Sequence, residues 1–219
     1  MEYILLKYLH ILGFVYWLGG DLGTFLSSRY LVNRELSNEA RLVATKIMLA
    51  CDQGPKLAMP LMFSLGVHLA TILGVVPLNG VGLLATWLIG LVWLANVLIL
   101  YSFEGKPFTA MLAKFDFGFR VAVLLAILVF LVAAQFISGL ITADWVAWKL
   151  FIFALLVACG VGIRIQLKPF VPAFTKLMQD GPSDEVNDIL ESAVSRSRPF
   201  VAIIWLGLFV SAALGVHLL

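Results

Sequence analysis

Six stretches of about 20 mostly apolar residues follow one another along this chain of 219 residues. At 1.5 Å of rise per residue, about 20 helical residues cross the roughly 30 Å hydrocarbon core of a bilayer. Charged residues make up only 13% of the chain, against about 25% in soluble domains. We therefore expect an all-α, polytopic membrane helix bundle, a single transmembrane domain over residues 1–219. The expected spans are about 3–26, 56–76, 81–103, 119–141, 145–167 and 199–218.

Positive charge is divided unequally between the two sides of this predicted bundle. All Lys and Arg residues except Lys7 and Lys149 fall in or beside the three polar connections at 27–55, 104–118 and 168–198. Cytoplasmic loops of membrane proteins are enriched in Lys and Arg. The sequence therefore predicts that the polar loops are cytoplasmic and that both termini lie outside. A multi-pass protein of the bacterial inner (plasma) membrane is the expected localisation.

Two cytoplasmic segments are predicted to form short amphipathic helices. Residues 39–52 have apolar side chains at helical spacing and are expected to run into the second span, with a bend near Pro55 and Pro60. Ser183 is a suitable N-cap for a helix over 184–195, ahead of the last span. The chain has no Gly-rich phosphate loop, and nothing in it indicates nucleic-acid binding.

Two histidines are predicted to lie at membrane depth. His10 is about seven residues into the first span, and His68 is about eight residues before the outer end of the second. Ionisable groups at this depth are costly and mark functional sites. Level imidazoles on neighbouring helices are suitable axial ligands for haem b, so both histidines are candidate metal ligands. The alternative is that each histidine is hydrogen-bonded to a neighbouring helix.

Other residues around His10 fit a cofactor site near the outer side, between the first two spans. Gly13, Phe14 and Trp17 share its helix face, where glycine leaves space and the aromatic rings flank a macrocycle. The same small residue also suits a close helix–helix contact. Lys149 lies near the same level in the fifth span. It is expected either to face the haem propionates or to extend its ammonium to the membrane surface.

A carboxylate in the cytoplasmic half of the first span needs a partner. Asp21 is expected to form a charge pair with Arg29, or with Arg120 or Arg164 from other helices, and proton uptake is the functional alternative. Asn96, in the third span, is expected to make an interhelical hydrogen bond.

Sulfur-containing residues raise the question of copper. Met59 and Met62 flank Pro60 at one-turn spacing, and thioethers suit Cu(I). Methionine is equally a common core filler. Cys51 and Cys159 are interpreted as small buried apolar residues, because two distant cysteines indicate neither a disulfide framework nor a zinc site.

Three short motifs carry a resemblance to known membrane proteins. The first span has an early histidine, a tryptophan two turns later and a terminal arginine, namely His10, Trp17 and Arg29. Lys149 follows a tryptophan at the start of the fifth span, and the basic, proline-containing segment 196–199 precedes the last one. In these features the chain resembles copper-resistance-D-like and HemJ-type protoporphyrinogen oxidase membrane proteins. The resemblance implies haem b binding by His10, with Lys149 and Arg29 near functional positions.

These observations lead to one principal functional hypothesis, which is a membrane haem b redox protein. Such a protein would pass electrons between a periplasmic or membrane partner and a quinone-like acceptor. A protoporphyrinogen oxidase-like enzyme is a variant on the same scaffold. Two competing hypotheses need no haem, namely a copper-handling transporter and a non-catalytic membrane scaffold. The lipid bilayer is the expected environment, and a homo-oligomer is compatible with each hypothesis.

Overall fold

The computed structural model describes residues 1–218, which form eight helices and no strand. The helices are α1 (Glu2–Leu31), α2 (Asn38–Cys51), α3 (Gln53–Ile72), α4 (Gly80–Ser102), α5 (Thr109–Phe136), α6 (Asp144–Gln166), α7 (Phe170–Asp180) and α8 (Asp184–Gly215). Six helical segments are long and apolar enough to cross a membrane: α1, α2 with α3, α4, α5, α6 with α7, and α8. The predicted all-helical bundle with six such segments is confirmed, whereas its orientation stays a prediction.

The spanning helices close into a ring. α1 packs on α3, α3 on α4, α4 on α5, α5 on α6, α6 on α8, and α8 returns to α1. The connections 73–79 and 137–143 both lie at one end, where the Thr142 amide donates to the Val75 carbonyl at 3.0 Å. We call this the tight-turn end, and the opposite end, which carries α2, α7 and the start of α8, the capped end.

The capped end has a small core of its own. Leu31, Leu177 and Leu190 are fully buried where α2, α7 and α8 meet the end of α1. Arg41 is buried beside them, where its Nε donates to the Leu31 carbonyl at 2.7 Å and its guanidinium donates to Asn187 at 2.9 Å. This core holds two of the three polar connections, 27–55 and 168–198, together as a compact cap.

Besides α8, three helices differ from the predicted spans at their ends, and α1 continues to Leu31 instead of ending near residue 26. α5 begins at Thr109, ten residues before the apolar stretch, and ends at Phe136 instead of residue 141. It ends where Ile137 takes an extended conformation, with φ −111° and ψ 103°, and Gly139 has a left-handed φ of 87° in the turn that follows. α3 ends at Ile72 instead of residue 76, and Gly74 takes a φ of 71° in the turn that follows.

Proline affects the helices less than expected. The predicted short helix over 184–195 and the last span form one continuous helix, α8, which passes through Pro199. Next to the proline, Phe200 packs closely against Gly162 of α6. Ser183 caps α8 as predicted, accepting a hydrogen bond from the Val186 amide. The break between α2 and α3 lies at Asp52, ahead of the two prolines that were expected to bend the segment.

Close helix contact at Gly90 gives a first testable prediction. A methyl group at Gly90 would overlap the Ser64 hydroxyl and lie 3.1 Å from the Pro60 carbonyl oxygen. We expect Gly90→Val to lower the free energy of unfolding by about 1–3 kcal/mol, because the extra volume forces α3 and α4 apart. Denaturation in mixed micelles measures this change. Gly118→Val is the matched control. A methyl group at Gly118 would point into open space, with no atom of another described helix within 4 Å.

Candidate functional site

A cavity of about 650 Å³ lies inside the ring, in the half nearest the tight-turn end. All six spanning segments line it, and its walls are predominantly apolar. Aromatic side chains form much of the wall: Phe14, Trp17, Phe63, Phe130, Trp145 and Phe153. Pockets for small molecules and cofactors have volumes of about 300–1,000 Å³ and similar walls. This cavity is therefore the candidate functional site.

Small residues keep the centre of the ring open. Gly66 and Ala70 of α3, Ala126 of α5, and Ala212 and Gly215 of α8 all line the cavity. Where α1 and α3 touch directly, by contrast, glycines let the two backbones approach, and a methyl group at Gly54 would lie only 2.7 Å from the Tyr16 carbonyl oxygen. The cavity thus results from small side chains at corresponding levels of several helices.

His10 lines this cavity and has an unsatisfied nitrogen. Its imidazole lies against α3, where a methyl group at Gly66 would be 3.2 Å from Cε1. Its Nδ1 is buried and has no hydrogen-bond partner within residues 1–218. A buried polar atom without a partner costs about 1–3 kcal/mol, so it requires an explanation. A bound group that engages the imidazole would provide one.

Lys7 and Lys149 line the same cavity. They are the two cations that the charge pattern separated from all the others. Lys149 Nζ lies 5.7 Å from the Trp145 ring centroid, and Lys7 Nζ lies 5.9 Å from that of Tyr3. Among the described residues, no carboxylate lies within 4 Å of either ammonium group. Within residues 1–218, the cavity therefore presents two ammonium groups without a carboxylate partner on an apolar wall.

His68 does not share the site of His10. It is two residues from Gly66, so it lies about 200° around α3 from the residue that contacts His10. Its Nδ1 accepts from Trp87 Nε1 at 3.3 Å, and its Nε2 lies 3.4 Å from a Glu2 carboxylate oxygen. The predicted pair of level histidines is not brought together, and His68 instead forms a hydrogen bond to a neighbouring helix.

The three residues predicted to flank His10 fall into two groups. Phe14 and Trp17 line the cavity, and Trp17 packs edge-on against Phe153 with ring centroids 6.2 Å apart. Gly13 instead faces α3, where a methyl group would lie 2.7 Å from the sulfur of Met62. Gly13 thus serves a close helix–helix contact.

The predicted charge pair in α1 is not formed. The guanidinium of Arg29 lies 4.9 Å from the ring centroid of Phe25, and Asp21 Oδ2 has no hydrogen-bond partner in the described part of the chain. Arg120 and Arg164, the two further candidate partners of Asp21, both bind a different carboxylate. Arg29 does not pair with Asp21 because its side chain packs on Phe25, one turn back along α1.

That carboxylate belongs to Asp116, which lies outside the predicted spans, in the connection at 104–118. Asp116 is 2% exposed and accepts from Arg120 at 2.9 Å, Arg164 at 2.6 Å and Asn96 at 2.9 Å. Arg120 also lies 5.2 Å from the Trp93 ring centroid. This cluster joins α4, α5 and α6, and it confirms the predicted interhelical hydrogen bond of Asn96. The sequence carries one indication of this cluster. Asp116 and Arg120 are four residues apart, a spacing at which side chains meet on one face of a helix.

The sulfur atoms are not gathered into a copper site. Met59 accepts from Arg120 at 3.6 Å, whereas Met62 packs against Gly13 of α1. Cys159 is buried, as expected, and Cys51 is partly buried against Gly23. Within residues 1–218 there is no group of three or more His, Cys, Asp or Glu side chains that could hold a metal ion.

Comparisons of the chain with protein-family models, with curated proteins and with solved structures give no match. The functional interpretation therefore depends on the residues of the cavity. These are one imidazole, two ammonium groups and a wall of apolar and aromatic side chains. Together they suit a ligand that is largely apolar and carries an acidic group at one end.

Proposed function

We propose that this protein is a membrane haem b redox protein that holds its cofactor in the cavity at the tight-turn end. The observation that carries the proposal is His10, which lines a large apolar cavity and has a buried, unpartnered nitrogen. Imidazole is a common axial ligand of haem iron. When bound, haem b supplies one-electron chemistry, and the protein supplies burial, orientation and nearby charge.

Three features of the cavity suit this cofactor. Its volume of about 650 Å³ lies well inside the usual range for cofactor sites. Its aromatic walls, which include Phe14 and Trp17, provide flat apolar surface and limit access of water. Lys7 and Lys149 provide two cations, and haem b carries two propionates. Charge-assisted hydrogen bonds of this kind are about twice as strong as neutral ones.

The proposal assigns His10 as a haem ligand and does not assign His68. Both nitrogens of His68 face other partners, so the second axial position is left to another group or to a substrate. A redox enzyme of the protoporphyrinogen oxidase type is the variant that uses an open position. If another group of the protein fills the second axial position, the variant is electron transfer to a quinone-like acceptor in a bacterial inner membrane.

An absorption spectrum tests the proposal. Protein expressed with ample haem and purified in detergent is expected to show a Soret band and a reduced-minus-oxidised difference spectrum. His10→Ala is expected to lower the haem content more than about tenfold, because it removes a ligand. His68→Ala is the matched control and is expected to keep the haem, since it lies outside the cavity. A wild-type protein without a Soret band would contradict the proposal, as would full haem content in His10→Ala.

A further inference from the structure

Ile11 of α1 is exposed and Ala212 of α8 is partly exposed although both line the cavity, which indicates an opening between these two helices. We propose that a membrane-dissolved amphiphilic acid enters the cavity from the bilayer through this opening, the α1–α8 portal. The inference rests on the proposed function, because it names the route and the chemical class of the ligand of that same site.

The paths of α1 and α8 create the portal. The two helices meet towards the capped end, where Phe25 and Trp205 pack edge to face with ring centroids 5.2 Å apart. Beyond α1, Arg34 forms salt bridges with Asp188 and Glu191 of α8. These contacts hold the two helices together at that end.

Towards the tight-turn end, each of the two helices follows a different neighbour. α1 stays against α3, through contacts such as that between Gly13 and Met62. α8 stays against α6, where a methyl group at Gly215 would lie 2.8 Å from Lys149 Nζ. The cavity occupies the space between them, and residues of both helices line it.

The exposure of individual residues supports an opening between α1 and α8. Ile11 lines the cavity and is nevertheless 50% exposed, as expected for a side chain at the edge of a portal. Ala212 lines the cavity from α8 and is partly exposed. The surface beside them is apolar, with exposed Val15 on α1 and exposed Phe209 on α8. The portal therefore faces hydrocarbon, which admits apolar molecules.

The two lysines define the polar part of the ligand. Lys7 and Lys149 lie on the tight-turn side of Ile11 and Ala212, so the cations stand nearest the membrane surface. An amphiphile in a bilayer keeps its acidic group at that surface and its apolar body in the hydrocarbon. Such a molecule meets the portal in the orientation that the cavity requires. A strongly polar ligand would leave its polar groups unpaired against the apolar wall.

Loading kinetics test the portal. Haem-free protein in lipid nanodiscs is mixed with vesicles that contain haem, and the rise of the Soret band is followed by stopped flow. We expect Ile11→Trp and Ala212→Trp to slow both association and dissociation about tenfold, because the indole narrows the portal from either side. Because Ile11 and Ala212 also line the cavity, the equilibrium Kd is expected to rise somewhat. Slower dissociation is the result that a defect of the binding site alone would not give. Val15→Trp is the matched control, since Val15 is 54% exposed, lies one turn from Ile11 and does not line the cavity.

The outcomes of this experiment separate the portal from the proposed function. Unchanged rates in both variants, with normal haem content, would overturn the portal and leave haem binding intact. Weaker equilibrium binding without slower association would also overturn it. Absence of haem binding by the wild-type protein would overturn the proposed function, and the loading route with it. Two variants on opposite helices keep the test decisive if one of them fails to fold.

Discussion

Asp116→Asn is expected to destabilise the bundle by about 3–5 kcal/mol. Asp116 accepts hydrogen bonds from two guanidinium groups on α5 and α6, and removing its charge leaves both cations without a carboxylate partner. The Arg120 side chain is only 10% exposed, so water cannot replace the lost partner. Breaking a buried ion pair by removing one member is costly for this reason, whatever the net contribution of the intact pair.

Unfolding in mixed detergent micelles, followed by tryptophan fluorescence, measures the loss of stability. Glu104→Gln is the matched control, because it neutralises an exposed carboxylate in the connection between α4 and α5. It is expected to change the free energy of unfolding by less than about 0.5 kcal/mol. Asp116→Asn with the stability of the wild type would show that the cluster does not hold α4, α5 and α6 together.

Lys7 and Lys149 are expected to make the protein prefer haem to its dimethyl ester. Each charge-assisted hydrogen bond to a propionate contributes about 1.5–3 kcal/mol, which corresponds to roughly tenfold to a hundredfold in Kd. The ester keeps the macrocycle and the iron but lacks both negative charges. Titration of haem-free protein with either compound, followed at the Soret band, gives the ratio of the two Kd values.

Single variants assign the preference to the two side chains. Lys149→Gln is expected to reduce strongly the ratio of the Kd for the ester to the Kd for haem. The double variant with Lys7→Gln is expected to bring this ratio close to one. Lys46→Gln is the matched control, because it removes an exposed lysine at the capped end. Equal affinity of the wild-type protein for haem and for the ester would show that the lysines do not recognise acidic groups. That result would leave ligation by His10 untouched.

The helical bundle could be predicted from the sequence because hydropathy and helix length are local properties. Helix ends were less predictable, since they depend on single residues. α5 ends where Ile137 becomes extended, and the contact of Phe200 with Gly162 accompanies the passage of α8 through Pro199. The hydropathy pattern did not predict the early start of α5. Charged residues lower hydropathy even when, like Asp116, they are buried and paired.

The candidate site was predictable only in part. The depth of His10 and His68 followed from counting residues, but their directions depend on the rotation of α3 about its own axis. That rotation places Gly66, and not His68, beside His10. The charge pattern singled out Lys7 and Lys149, yet their convergence on one cavity depends on the tilt of α1 and α6. Tilt and rotation arise from packing among distant segments, which a single sequence does not display.

The continuity of α8 has a mechanical consequence. Its 32 residues form a rod about 48 Å long that begins in the core of the cap and ends beside the cavity. Phe200 and Gly162 form a tight contact near its middle, so a small tilt there displaces both ends in opposite directions. A pivot of about 5° would move the far end by about 2 Å, given the 15 residues beyond Phe200. Asp188 and Glu191, which bind Arg34, and the cavity-lining Ala212 are thus parts of one continuous helix, at its opposite ends.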